Sequence, residues 1–210
     1  IVGASGSGKT TLVKLLLGYF APTSGNIFLG DTPLQDYDMT SWRHSCGVVL
    51  QDSHVFSESL ARNIAVEDKH IDRTRLRIAA RQSNLEEFIE KLPLKYQTMV
   101  GAEGVGLSRG QEQRIFIARA LYKDPSFVFL DEATNSLDAN NERIITGNLL
   151  DFCKGRTVLI VAHRLSTIRH ADKIVVLHKG RIVEEGTHDE LCARHGYYYE
   201  LINNQLIAMG

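Results

Sequence analysis

Apolar and polar positions fall into blocks of two different periods along the 210 residues of the chain. The opening "IVGASGSGKTTLVKLLLGYF" reads as a strand end, a glycine-rich turn and a helix with Leu12, Leu15 and Leu16 on one face. "GNIFLGD" is a short strand between turn residues, and "CGVVLQ" is a continuous apolar run suited to a buried parallel strand. From Ser57 to Leu92 the pattern turns helical through "SLARNIAV", "RTRLRIAARQ" and "LEEFIEKL", stopped by Pro93. A glycine-rich loop, "TMVGAEGVGLSRG", leads into a helix through "QEQRIFIARALYK". Then come a strand "SFVFLDE", a helix "NNERIITGNLLDFC", a strand "RTVLIVAH", a strand pair "DKIVVLHKG" and "RIVEEG", and two closing helices. Strands alternating with helices predict an α/β fold with a mostly parallel, covered sheet. The helical block within that alternation predicts an inserted subdomain: a core of residues 1–52 and 124–210, and a helical unit of 53–123.

Composition adds mainly exclusions. Hydrophobic residues make up 43% and charged residues 23%, ordinary for a soluble globular protein. Lys and Arg number 24 against 25 Asp and Glu, so no global field recruits anionic lipid, and no nucleic acid partner is expected. Cys46, Cys153 and Cys192 lie far apart without metal-ligand spacing and read as reduced thiols. The longest apolar runs, such as "TVLIVA" and "KIVVL", are strand-sized rather than membrane-sized, and no signal peptide is seen. The chain opens without Met on a strand end that belongs mid-sheet, so the expectation is a fragment lacking its N-terminal strands.

The chemistry begins at "GASGSGKT", Gly3 to Thr10, which fits the phosphate-loop pattern G-x-x-x-x-G-K-[ST] and makes the expected core a P-loop NTPase core. Glycines let successive N–H groups point at phosphate oxygens, and the following helix adds its positive end. Gly3, Ala4, Ser5, Gly6, Ser7, Gly8, Lys9, Thr10 and Thr11 form the candidate nucleotide-binding set, with Lys9 reaching the β- and γ-phosphates and the Thr10 hydroxyl a ligand for Mg²⁺. A dinucleotide fingerprint does not fit, because Thr11 stands where its third glycine should be. "FVFLDE" is an apolar strand ending in two acids, which places them at the ligand edge of a parallel sheet. Asp131 suits Mg²⁺ coordination, and Glu132 is placed to orient or deprotonate an attacking water. His163 ends "VLIVAH" in the same way and is a candidate γ-phosphate contact; Gln51 ends "CGVVLQ" with an amide able to meet Mg²⁺ or the water.

Taken together, these residues make the chain resemble the nucleotide-binding domain of ABC transporters along nearly its whole length. The resemblance rests on Gly3 to Thr10, Gln51, "LSRGQ" (Leu107 to Gln111), "FLDEAT", "NSLD" (Asn135 to Asp138) and "AHR" around His163, all in the family's order. It implies two such domains joined head to tail, with two ATP molecules sandwiched between them. By that likeness Leu107, Ser108, Arg109, Gly110 and Gln111 form the signature, of which Ser108, Gly110 and Gln111 would contact the partner's γ-phosphate. Glu132 would be the catalytic carboxylate, His163 the switch histidine, and Ser136, Leu137 and Asp138 the loop linking the two sites. Gln51 would couple ATP occupancy to membrane domains. "VFSESLARNI" and "KGRIVEEGTHDEL" look like the exporter type, which implies membrane helices upstream on the same chain and a place on the cytoplasmic face of the cell membrane. Thr98, Val100, Gly101 and Gly104 match the exporters' segment before the signature, while Ala102 holds its acidic position and Glu103 follows. The aromatic residue that stacks on adenine in this family lies upstream of Ile1.

Two other classes compete with an ATP-hydrolysing export subunit. One is a non-transport soluble relative acting in DNA repair or translation; the DNA-repair kind would carry a long coiled coil between phosphate loop and signature, where this chain has about a hundred residues without sustained heptads. A regulatory nucleotide binder predicts a lost carboxylate or histidine, yet Glu132 and His163 are both present. Homodimer and heterodimer stay open, and so does the cargo, since drug, lipid and peptide exporters share this domain. One residue departs from the pattern: Arg109 replaces the first glycine of L-S-G-G-Q. Either the position faces solvent and tolerates a side chain, or the guanidinium adds a charged contact to the partner's nucleotide.

Overall fold

In a computed structural model that describes residues 1–66, 68–162 and 168–208, the periodic blocks become regular elements. In chain order these are α1 (Lys9–Leu16), β1 (Phe28–Leu29), β2 (Thr32–Pro33), α2 (Met39–His44), β3 (Cys46–Val49), α3 (Leu60–Ile64), α4 (Arg73–Gln82) and α5 (Glu86–Glu90). They continue with α6 (Arg109–Lys123), β4 (Phe127–Asp131), α7 (Ala139–Cys153), β5 (Thr157–Val161), β6 (Ile174–His178), β7 (Arg181–Gly186), α8 (His188–Ala193) and α9 (Tyr197–Ala208). The fold is α/β, as expected. Compact packing divides it into two units, Ile1–Trp42 with Leu159–Gly210, and Arg43–Val158.

In the first unit, Val2 pairs in parallel with Val176 of β6, its N–H donating to the Val175 carbonyl at 3.0 Å and its carbonyl accepting from Leu177 at 2.8 Å. Val2, Ile168, Ile174, Val176, Leu191, Tyr198 and Ile202 form the core beneath that pairing. β6 and β7 are antiparallel, joined by a two-residue turn, Lys179–Gly180, with φ of 47° and 76°. Two positive φ values are what a tight hairpin turn matched to strand twist requires. The expected apolar face of α1 is displaced: Val13 and Leu17 are fully buried, while Leu12, Leu15 and Leu16 are half-buried. Apolar residues cover so much of this helix that periodicity alone does not single out its deepest row.

In the second unit, β3 and β4 pair in parallel from Cys46↔Phe127 to Val49↔Leu130. Cys46, Val49, Val128, Phe129 and Leu130 are all buried, which is why these strands read as unbroken apolar runs rather than alternating ones. Helix α6 packs on β3, α3 and α4 through Ile115, Phe116, Ile117, Ala118 and Leu121. Gly47 permits that approach: a Cβ there would stand 2.5 Å from Pro125 Cγ and 3.3 Å from the Ala120 carbonyl. Asp124, left-handed at φ 51°, ends the helix, and Pro125 keeps it ended. Ser59, Asp72 and Asp138 cap α3, α4 and α7 with their side chains.

Candidate functional site

The phosphate loop is built wholly within the first unit. Gly3, Gly6 and Gly8 have φ of 156°, 75° and 102°, and a Cβ on Gly3 would meet the Leu177 carbonyl at 2.2 Å. Larger residues cannot follow this path. Ala4, Ser5 and Gly6 form the exposed tip, whereas Ser7 is buried and its hydroxyl has no hydrogen-bond partner among the described residues. The Ser7 carbonyl accepts from Gly180 at 3.0 Å, so the β6–β7 turn braces the loop. Lys9, buried, donates from Nζ to the carbonyls of Gly3 (2.8 Å) and Ala4 (2.9 Å), curling the loop around its ammonium. Thr10 and Thr11 follow in the first turn of α1, whose N-terminus carries no side-chain cap. A buried cation, an orphaned hydroxyl and an uncapped helix start all suit the oxygens of a phosphate.

Gln51, Asp131 and Glu132 are gathered at one edge of the second unit. The register Val49↔Leu130 carries both parallel strands out of the sheet on the same side, the side where ligands of such sheets bind. Asp131 is buried at the end of β4, and Gln51 lies exposed in the turn that Ser53 closes on Leu50. Glu132 adopts a left-handed backbone, φ 54°, and its Oε2 accepts from Asn135 Nδ2 at 2.6 Å. For a glutamate this conformation costs about 1 kcal/mol or more and persists only where surroundings impose it.

The "LSRGQ" segment opens α6. Ser108 Oγ accepts from the Gln111 amide at 3.2 Å, and the Ser108 N–H donates to Gln111 Oε1 at 2.8 Å, a reciprocal capping box. Arg109 is the first helical residue, exposed, and makes no hydrogen bond or ion pair among the described residues. Gly110 faces inward instead: a Cβ there would lie 3.2 Å from the Ser136 carbonyl and 4.0 Å from Leu137 Cδ2. Ser136, buried Leu137 and Asp138 are thereby held against the start of α6. Asp138 caps α7 through Asn140 and Asn141, and the hydrogen bonds from Asn141 hold its carboxyl below the ordinary range. His163 lies outside the described residues.

Comparison with known proteins decides what these three constellations belong to. Residues 1–135 match the family model described as "ABC transporter". The chain belongs to the ABC transporter family. It is similar to an ATP-dependent lipid A-core flippase of Chromohalobacter salexigens, 47% identical over 201 residues, covering 96% of this chain and 35% of that protein. It is also similar to a toxin RTX-I translocation ATP-binding protein of Actinobacillus pleuropneumoniae, 46% identical over 202 residues, covering 96% and 29%. Among solved structures it matches a bacterial Atm1-family ABC exporter with ATP bound, at TM-score 0.91 and 39% identity, over 97% of this chain and 36% of that one. The chain therefore spans about a third of the length of the relatives it matches. As an ABC domain of the exporter kind it binds ATP and is an ATP hydrolase.

Further residues support these constellations: Asn135 from within the "NSLD" stretch, and Gln113 and Arg114 from outside every motif. Asn135 holds the Glu132 carboxylate, and Gln113 Nε2 donates to the Ala133 carbonyl at 2.8 Å. Arg114 donates to the carbonyls of Gly110 (3.3 Å) and Asn84 (2.7 Å), tying α6 to the turn after α4. A groove of about 430 Å³ is lined by Ser53, His54, Val55, Gly101, Leu107 and Glu112. Among the described residues no three of His, Cys, Asp and Glu cluster as a metal site. Within the second unit, the amide oxygen of Gln51 and the carboxylate of Asp131 are hard oxygen donors, the kind that Mg²⁺ takes.

Proposed function

We propose that this chain is the ATP-driven domain of a membrane exporter and works as one half of a head-to-tail pair. On this reading ATP lies on Gly3 to Thr11 of one copy, or of a related domain, and meets Leu107 to Gln111 of the other. The observation that carries it is the start of α6: an exposed helix end, capped by Ser108 and Gln111 and backed by Ser136. Ser108 accepts in its cap, so its hydroxyl hydrogen remains to donate to an incoming oxygen.

Each residue then has a task. Lys9 and the loop N–H groups neutralise and orient the phosphates; Thr10, Gln51 and Asp131 would hold Mg²⁺, which when bound would offset charge on the phosphate oxygens. Glu132, fixed by Asn135, accepts a hydrogen bond from the attacking water and takes its proton as the water oxygen bonds to the γ-phosphorus and the bond from that phosphorus to the β–γ bridging oxygen breaks, leaving ADP and inorganic phosphate. His163 supplies a further γ-phosphate contact by family likeness. Residues 53–123 act as the signature-bearing unit and residues 1–52 with 124–210 as the catalytic core. Among the described residues no helix is long and apolar enough to cross a membrane. The membrane-spanning partner, fused upstream as the relatives' length suggests, would seat on the groove between Ser53–Val55 and Gly101–Leu107. That arrangement sets the domain on the cytoplasmic face, where ATP is supplied.

Replacing Glu132 tests the reading most directly. In Glu132→Gln the shape and the phosphate loop are kept while the base is lost, so ATP binding persists, turnover falls by at least about a hundredfold, and an ATP-bound pair accumulates. Phosphate release at the wild-type rate from this variant would remove Glu132 from the mechanism.

A further inference from the structure

Arg119 takes no part in the chemistry above, yet its guanidinium is tightly placed. It lies on α6 about 15 Å along the helix from Arg109. Nε donates to the Asn63 carbonyl at 2.9 Å and Nη2 to the His54 carbonyl at 3.3 Å. Its central carbon stands 5.1 Å from the Phe56 ring centre and 5.4 Å from that of Phe116. Desolvation pushes the pKa of the guanidinium down to about 10, and no carboxylate pairs with it among the described residues. Carbonyl dipoles and ring faces alone offset its charge. A desolvated cation without a carboxylate is a poor source of stability, and an apolar side chain of similar volume would serve packing as well. What guanidinium adds is a rigid fork with fixed donor directions.

The segment that this fork grips is itself stiff. Asn63 is fully buried; its Oδ1 accepts from the Phe56 amide at 2.8 Å, and its Nδ2 donates to the carbonyls of Phe56 (3.0 Å) and Ser59 (3.2 Å). Ser59 caps α3 through the Arg62 amide. Arg119 thus holds both ends of a braced piece, residues 54–63, that begins three residues after Gln51. His54 forms one wall of the groove, and Leu107 and Glu112, at the start of α6, form another.

We propose that Arg119 is a positioning residue that makes residues 54–63 and helix α6 move as one body. The membrane-spanning partner seated on the groove then sets where Ser108 and Gln111 stand relative to the partner's nucleotide. This rests on the head-to-tail reading above and assigns the link by which groove occupancy reaches the signature.

The test uses the full-length protein in lipid vesicles, as wild type, Arg119→Met and Arg119→Lys. Methionine keeps volume and removes the half-buried charge; lysine keeps charge with a single point donor. The expected result for Arg119→Met is unchanged ATP affinity at the phosphate loop and an unchanged melting temperature. Its kcat falls about tenfold, equivalent to roughly 1.4 kcal/mol, and Arg119→Lys recovers part of the loss. Hydrogen exchange without nucleotide gives a readout apart from activity: amides of residues 54–58 exchange faster in Arg119→Met, while those of the phosphate loop keep their rates. A wild-type kcat in Arg119→Met, or a loss matching only its unfolded fraction, overturns the link and leaves Arg119 a packing residue. Should Arg119→Met not fold, Arg119→Lys decides by the same criteria. A wild-type protein without ATP turnover would instead defeat the head-to-tail reading itself.

Discussion

At Glu132 a charged, bulky residue occupies a backbone conformation that ordinarily favours glycine or asparagine, with φ at 54°. Two features impose it: buried Asp131 ends β4 on one side, and Asn135 takes hold of the carboxylate on the other. The strain sits at the position proposed to act on the attacking water, where a displaced carboxylate would miss its target. Glu132→Gly should therefore separate stability from activity. Relief of the left-handed glutamate stabilises the fold by roughly 1 kcal/mol, read as a higher urea midpoint at constant slope, while turnover is lost. A lower midpoint would mean that the Asn135 contact outweighs the strain.

At the scale of elements, α6 shows why one glycine of its opening turn is dispensable and the other is not. Arg109 points to solvent with a helical backbone, whereas Gly110 approaches the Ser136 carbonyl so closely that a Cβ would lie at 3.2 Å. Arg109→Gly trades lost helix propensity against removal of a cation from the positive helix end, so its stability should stay within about 0.5 kcal/mol of wild type. Gly110→Leu introduces a good helix former, yet it should cost about 1–3 kcal/mol by pushing α6 off residues 136–137. Thermal unfolding of the two variants checks both; equal stabilities would deny the contact. The same elements mark what the residue pattern made legible. Strands β3 and β4, helices α6 and α7 and the β6–β7 pair follow from period and turn chemistry. The residues at the ends of β3 and β4 follow from the rule that parallel sheets place ligands there. The braces were not legible: Arg114 reaches Asn84 across 30 residues and Arg119 reaches Asn63 across 56, each through a backbone carbonyl that any residue could supply. Nor does any local signal mark Glu132 as left-handed, and the row that α1 buries, Val13 and Leu17, is hidden among the leucines that surround it.

For the whole molecule, the site's parts divide between what a chain offers its own nucleotide and what it can offer only to another. On the proposed pairing, Lys9, sunk in its loop, and Glu132, held by Asn135, would belong to the first kind. Ser108, Arg109 and Gln111 stand at an exposed helix end and belong to the second. If both are needed at one γ-phosphate, a single copy of this 210-residue chain is catalytically incomplete however well it binds ATP. Association without the membrane partner depends on mass action. Well below the pairing constant, activity per molecule should rise in proportion to protein concentration, so total turnover scales with its square; near saturation the dependence becomes linear. Phosphate release measured over a hundredfold dilution series at saturating ATP and Mg²⁺ distinguishes the cases. Turnover strictly linear in protein throughout, from a species that remains monomeric by light scattering, would place the whole reaction within one copy and overturn the pairing.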